Sequence, residues 1–110
     1  MNKNTKKETN ECIKFHYQHP EIWYAFKKIA FREIHKKRKK YSAEIIVNEI
    51  RWNRDEIINK KSDEKFLIPN KMKAFYSRFF MFKFPTYSNV FEKRNSIFDT
   101  INYSDIYESM

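Results

Sequence analysis

The feature that most constrains this 110-residue chain is a residue it lacks: there is no glycine in it. Glycine takes positive φ without penalty and lets backbone approach a phosphate closely. Without it the P-loop, the dinucleotide-binding fingerprint and the nucleophile elbow are excluded. An EF-hand loop loses its turn residue for the same reason. Left-handed turn positions must fall to Asn or Asp.

The length allows one domain with a single modest core. Two Trp, seven Tyr and eleven Phe concentrate the burial in few side chains, each worth roughly 1.5–3 kcal/mol when well buried. Charge is lopsided. All 23 Lys and Arg fall in residues 1–94, whereas residues 95–110 carry three acids and no base. Such an excess favours polyanions or acidic protein surfaces as partners. A Lys-, Asn- and Ile-rich chain is also what an AT-rich genome produces, so the count alone decides nothing. Cys12 is alone, which excludes an internal disulfide and points to a reducing compartment. No apolar run approaches the roughly 20 residues that span a bilayer, and residues 1–11 lack the apolar centre of a signal peptide. The expected location is the cytoplasm.

Along the chain, residues 1–11 are polar and charged and read as a flexible basic N-terminus. Pro20 suits a first helical turn, having no N–H to leave unpaired. From there to about Lys39, Ile22, Trp23, Phe26, Ile29, Ala30 and Ile34 share an arc of about 140°. Lys28, Arg32, His35 and Lys39 stack on another face. Glu33 falls within the apolar arc and is expected at the core edge, paired with a base. The helix closes in the basic run 35–40, favourable at a helix C-terminus.

Ser42 is an expected N-cap for a second helix, running to about Arg54. Ala43, Ile46, Val47 and Ile50 form its apolar stripe, and Ile45 and Trp52 fall on the opposite side. Apolar residues on two sides predict a helix sandwiched in the core, with Arg51 facing Glu33. A third helix is expected from Lys71 to about Phe84, capped by Asn70 and ended by Pro85. Met72, Phe75, Tyr76, Phe79 and Phe82 are its expected core face, and Lys71, Ala74, Ser77, Arg78 and Met81 its outward face. Residues 66–68 and 89–93 are candidate short strands. Residues 95–110 form an acidic, aromatic tail or terminal helix. The expected fold class is mainly α: a compact three-helix domain over residues 12–94 with a minor two-stranded β element, winged-helix-like at best.

Phe15-His16, Pro20 and Phe26, then Ser42-Ala43 and Ile50-Arg51-Trp52, follow in a characteristic order. Phe66, Asn70, Tyr76, Arg78, Phe80-Met81, Pro85, Phe91-Glu92 and Arg94 continue it. The succession resembles a set of small phage- and prophage-encoded proteins over about residues 15–94. The chain departs at Leu67–Met72, where those relatives tend to carry a Lys-Ile-Asn-Asn-Tyr run. The resemblance implies a phage origin, with the bacterial host's cytoplasm as the setting, and little chemistry.

The leading functional expectation is nucleic-acid binding through phosphate contacts by Lys28, Arg32, Lys36, Lys39, Lys71 and Arg78, since cations release counterions from a polyanion without reading bases. The gap before the third helix is about 16 residues, where a helix-turn-helix has three or four. The alternative is an inhibitor of a host protein or nucleoprotein complex, anchored by Phe80, Phe84, Phe98 and Tyr107, with Trp52 and Tyr103 as further candidate anchors. Cys12, His16 and His19 have spacings of four and three, as on one helix face, but a fourth metal ligand would have to come from Glu21 or His35. An incidental cluster is the preferred reading, and no metal or cofactor is expected. The acids are dispersed and no nucleophile–base spacing stands out, so no enzymatic activity is expected.

Overall fold

The computed structural model describes residues 3–36, 41–53, 68–87, 90–91, 97–101 and 103–106. Within them the chain is mainly helical, with α1 (Lys3–Gln18), α2 (Pro20–His35), α3 (Ala43–Trp52) and α4 (Lys71–Lys83). Single 3₁₀ turns follow at Pro85–Tyr87, Ile97–Thr100 and Tyr103–Asp105. Three of these helices start and stop close to where periodicity, Pro20 and Pro85 place them. The fourth, α1, is helical where a flexible start is expected. Its inward face carries Thr9, Cys12 and His16, all buried, which is too few strong apolar residues to stand out as a period in the sequence.

The architecture places α2 and α4 between two flanking helices. Both α1 and α3 pack on α2 and on α4, and α4 also contacts the turns at 85–87 and 97–100. The middle is aromatic. Trp23 stacks on Phe79 at 4.6 Å between ring centroids and on Phe26 at 5.9 Å. Tyr76 lies 5.1 Å from Trp23 and 5.5 Å from Phe26. A second group gathers around Phe31, with Phe84 at 4.9 Å, Phe80 at 5.2 Å and Tyr87 at 5.8 Å. Offset and edge-on pairs of this kind add to area burial because the ring edge is positive and the face negative.

The central helix is therefore α4, not α3. Met72, Phe75, Tyr76, Phe79 and Phe80 are fully buried, and Ser77, Arg78 and Met81, expected to face outward, are buried too. The segment after residue 96 covers Arg78, through Asp99, and the Phe75–Phe79 side of the helix. Phe98 packs on Phe75 at 6.0 Å, and Tyr103 stacks on Phe79 at 5.9 Å. The Tyr103 hydroxyl donates to the Phe98 carbonyl at 2.7 Å, which ties the two turns together. Phe82, expected in the core, is 45% exposed.

The two-sided reading of α3 also fails. Ile46, Val47 and Ile50 are buried, whereas Ile45 and Trp52 are exposed. Ser42 sits at the N-cap of α3 and Asn70 at that of α4, yet neither side chain makes a capping bond. Asn70 instead accepts from Arg51 at 2.9 Å, and Arg51 also donates to the Ile68 carbonyl at 2.7 Å and to Asn48 at 3.1 Å. Arg51 thus clamps α3 to the start of α4 and does not face Glu33. The candidate strands lie largely outside the described residues. Among those described there is no strand, only a parallel bridge between Tyr41 and Phe91, where the Tyr41 N–H donates to the Val90 carbonyl at 2.7 Å.

Candidate nucleic-acid interface

Five of the six expected phosphate-binding cations, Lys28, Arg32, Lys36, Lys71 and Arg78, lie among the described residues. On α2, Tyr24, Lys28 and His35 are exposed on the outward face. Arg32 belongs to that side in sequence but turns towards α3. Its two terminal nitrogens donate to the two Glu49 carboxylate oxygens at 2.9 and 2.8 Å, and it also reaches Glu33 at 2.9 Å. The bond to Glu49, and then that to Glu33, hold the guanidinium above its ordinary pKa. Glu33 is buried as expected at the core edge, and Lys36 approaches it at 3.7 Å. Arg32 is a strap between α2 and α3, its charge already shared by two carboxylates.

The two α4 residues are likewise occupied. Lys71 contacts Glu8 at 3.2 Å and also Glu11, both on α1. Arg78 donates from Nε to Asp99 at 3.0 Å and from Nη1 to Ser77 Oγ at 3.1 Å, beneath the C-terminal turns. A buried guanidinium with a carboxylate partner holds the tail onto α4; no phosphate can reach it without displacing that tail. Lys39 lies outside the described residues. Of the six nominated cations, Lys28 alone is both described and without an acidic partner among the described residues.

The sequence reading missed α1 as a basic surface. Lys6, Lys7 and Lys14 are exposed on it and have no acidic partner among the described residues. With Asn10 and Glu11 they line an open, shallow depression of about 420 Å³. At 100° per residue, Lys7, Asn10, Lys14 and Tyr17 form one stripe, with Lys6 on its flank. Cys12 and His16 point to the opposite side, into the core. The helix contains acids, but Glu8 and Glu11 are drawn sideways onto Lys71. That leaves the outer stripe cationic. The signal was present in the sequence as a lysine spacing of seven, hidden because the segment carried no apolar period to mark it as a helix.

The Cys12–His16–His19 cluster does not assemble as a ligand set. Among the described residues no group of three His, Cys, Asp or Glu side chains could hold a metal ion. Burial, with help from the charge of Glu8, pushes the Cys12 thiol up to about 12, which suppresses its thiolate. His16 Nδ1 shares a hydrogen bond of 3.3 Å with the Tyr76 hydroxyl, inside a cage of aromatic edges.

Of the expected protein anchors, Phe80 and Phe98 are buried in the core. Phe84 is half-buried against Phe31 and Phe80. Tyr107 lies outside the described residues. No described helix is long and apolar enough to cross a membrane. No family model matches this chain, and no curated protein or solved structure matches it either.

Proposed function

We propose that this protein binds nucleic acid through its phosphate backbone, using the outer stripe of α1. Lys6, Lys7 and Lys14 make the contacts there, and Lys28 offers one more from α2. One observation carries the reading: the described acids nearest the basic surfaces are committed to Arg32, Lys36, Lys71 and Arg78, so among the described residues Lys6, Lys7 and Lys14 of α1 stand together without an acidic partner. A row of lysines on a helix neutralises phosphates as point charges and carries no base-reading geometry. Binding is therefore expected to be independent of sequence and steeply sensitive to salt. A phage or prophage origin, with action in the cytoplasm of a bacterial host, belongs to the same proposal. The inhibitor alternative loses support, because Phe80 and Phe98 are needed by the core.

Fluorescence anisotropy with labelled duplex and single-stranded oligonucleotides tests this. With three or four phosphates neutralised, affinity for the duplex falls about 40- to 150-fold between about 50 and 200 mM salt. Lys7→Glu with Lys14→Glu abolishes binding at the lower salt and leaves the helical signal unchanged. No binding by the unaltered chain at the lower salt sinks the proposal.

A further inference from the structure

The outward face of α3 poses a separate question. Trp52 is 88% exposed and Ile45 52% exposed, whereas Ile46, Val47 and Ile50 on the inward face are at most 2% exposed. Seven positions apart, Ile45 and Trp52 stand within about 20° of one another around the helix and about 10 Å apart along it. An exposed Trp contributes little to folding, since its ring stays in water, and Trp is among the residues most enriched where interfaces concentrate their binding energy.

We propose that this face docks a second copy of the same chain, with two α3 helices packed antiparallel about a two-fold axis. The pattern of residues carries the choice of occupant. A two-fold axis between antiparallel helices sets early positions of one against late positions of the other, and the match is repeated at both ends. Ile45 of one copy then meets Trp52 of the other, twice, with Asn48 and Glu49 between the two apolar contacts.

The flanking charges follow the same rule. Glu44 and Arg51 are also seven apart and share one flank of the stripe, so the same axis brings Glu44 of one copy beside Arg51 of the other. Both are exposed. Arg51 is already held in place by Asn48, the Ile68 carbonyl and Asn70, so a new partner costs it little side-chain freedom. Glu44 keeps 63% of its side chain in solvent, touched by Lys73 at 3.8 Å.

Charge argues against a polyanion at this face, because Glu44 and Glu49 border the Trp. It also explains why two chains of net charge +9 meet here rather than elsewhere. On this face Glu44 and Glu49 stand beside Arg51, so mutual repulsion is low there. One Trp of up to about 250 Å² and half an Ile per copy fall short of the roughly 800 Å² per partner of a standard interface. The dimer is therefore weak and reversible, with a Kd on the order of 10–100 μM.

Sedimentation velocity of the full chain across roughly 5–500 μM, read beside tryptophan emission, tests the proposal. The expected result is a doubling of mass with concentration and a blue shift of emission as Trp52 leaves water, Trp23 being buried throughout. Trp52→Ala and Ile45→Arg each hold the chain monomeric at the highest concentration with helical signal and melting unchanged, and Glu44→Lys raises the dissociation constant at least about tenfold, one unit of log K being 1.4 kcal/mol. A monomer throughout overturns the proposal, as does a dimer indifferent to both Trp52→Ala and Ile45→Arg. Since none of these substitutions touches α1, unchanged oligonucleotide binding by the monomeric variants separates this surface from the proposed phosphate contacts.

Discussion

The flanking helices α1 and α3 do the same structural job and end with opposite surfaces. Each lays one face on α2 and α4. The outer face of α1 is a lysine stripe whose neighbouring acid, Glu11, is paired with Lys71; that of α3 is a Trp and an Ile bordered by charges of both signs. The difference originates in where their acids go. Glu8 and Glu11 of α1 reach sideways to Lys71, and Glu49 of α3 reaches sideways to Arg32. In one helix this exposes a cationic stripe, in the other an apolar one. Surface character here is decided by lateral ion pairs to the central layer as much as by the residues that point outward.

The sharpest contrast lies within α3. Ile50→Ala removes a fully buried side chain and is expected to cost about 2–5 kcal/mol, a large part of the 5–15 kcal/mol typical of a domain. Trp52→Ala, two residues away, changes monomer stability by no more than about 0.5 kcal/mol. Chemical denaturation of the two variants at low protein concentration reads both. A large loss for Trp52→Ala would mean that it is covered, and the comparison between the flanking helices would fail.

Next in size is Arg78. Arg78→Leu leaves Asp99 without its guanidinium and releases the tail from α4, a loss of about 1–3 kcal/mol. Limited proteolysis is expected to cut earlier after residue 96 in the variant, whereas a purely phosphate-binding Arg78 would leave proteolysis unchanged and affect only oligonucleotide affinity.

The inner face of α1 has a pH signature. Burial raises the Cys12 thiol from 9.0 to about 12, and burial also raises Tyr76 above its ordinary 10.0. A folded-state pKa raised above the unfolded value means that the unfolded chain loses its proton first. Stability is then complete below about pH 9 and falls as pH climbs towards 12. Cys12→Ala flattens that decline in melting curves; an unchanged slope would place the thiol in water.

The smallest effect sharpens the comparison most directly. Glu8→Gln with Glu11→Gln frees Lys71 and extends the basic surface of α1. Oligonucleotide affinity is expected to rise a few-fold, with stability altered by less than about 1 kcal/mol because the pairs are solvent-exposed. A fall in affinity would mean that the ion pairs shape the binding surface rather than compete with it.

Three helices are legible in the sequence, because α2, α3 and α4 announce themselves by apolar period and by Pro20 and Pro85. The paired role of Glu33 was legible too, since a carboxylate within an apolar arc needs a base nearby. The missed helix, α1, has a weak inward face whose key members are Thr9, Cys12 and His16. The misassigned face of α4 has another cause. Its apolar residues occur on nearly every side, which marks a central helix, but nothing in the local pattern says that Asp99 returns to Arg78, or that Phe98 and Tyr103 return to Phe75 and Phe79.

The sequence by itself determined α2, α3 and α4, the aromatic weight of the core and the excess of positive charge, all properties of neighbouring residues or of composition. Only the tertiary structure decided which cations remain unopposed and which apolar side chains stay in water. Those outcomes depend on contacts such as Lys71 with Glu11, Arg32 with Glu49 and Arg78 with Asp99, between residues 60, 17 and 21 positions apart. No local period encodes such pairings.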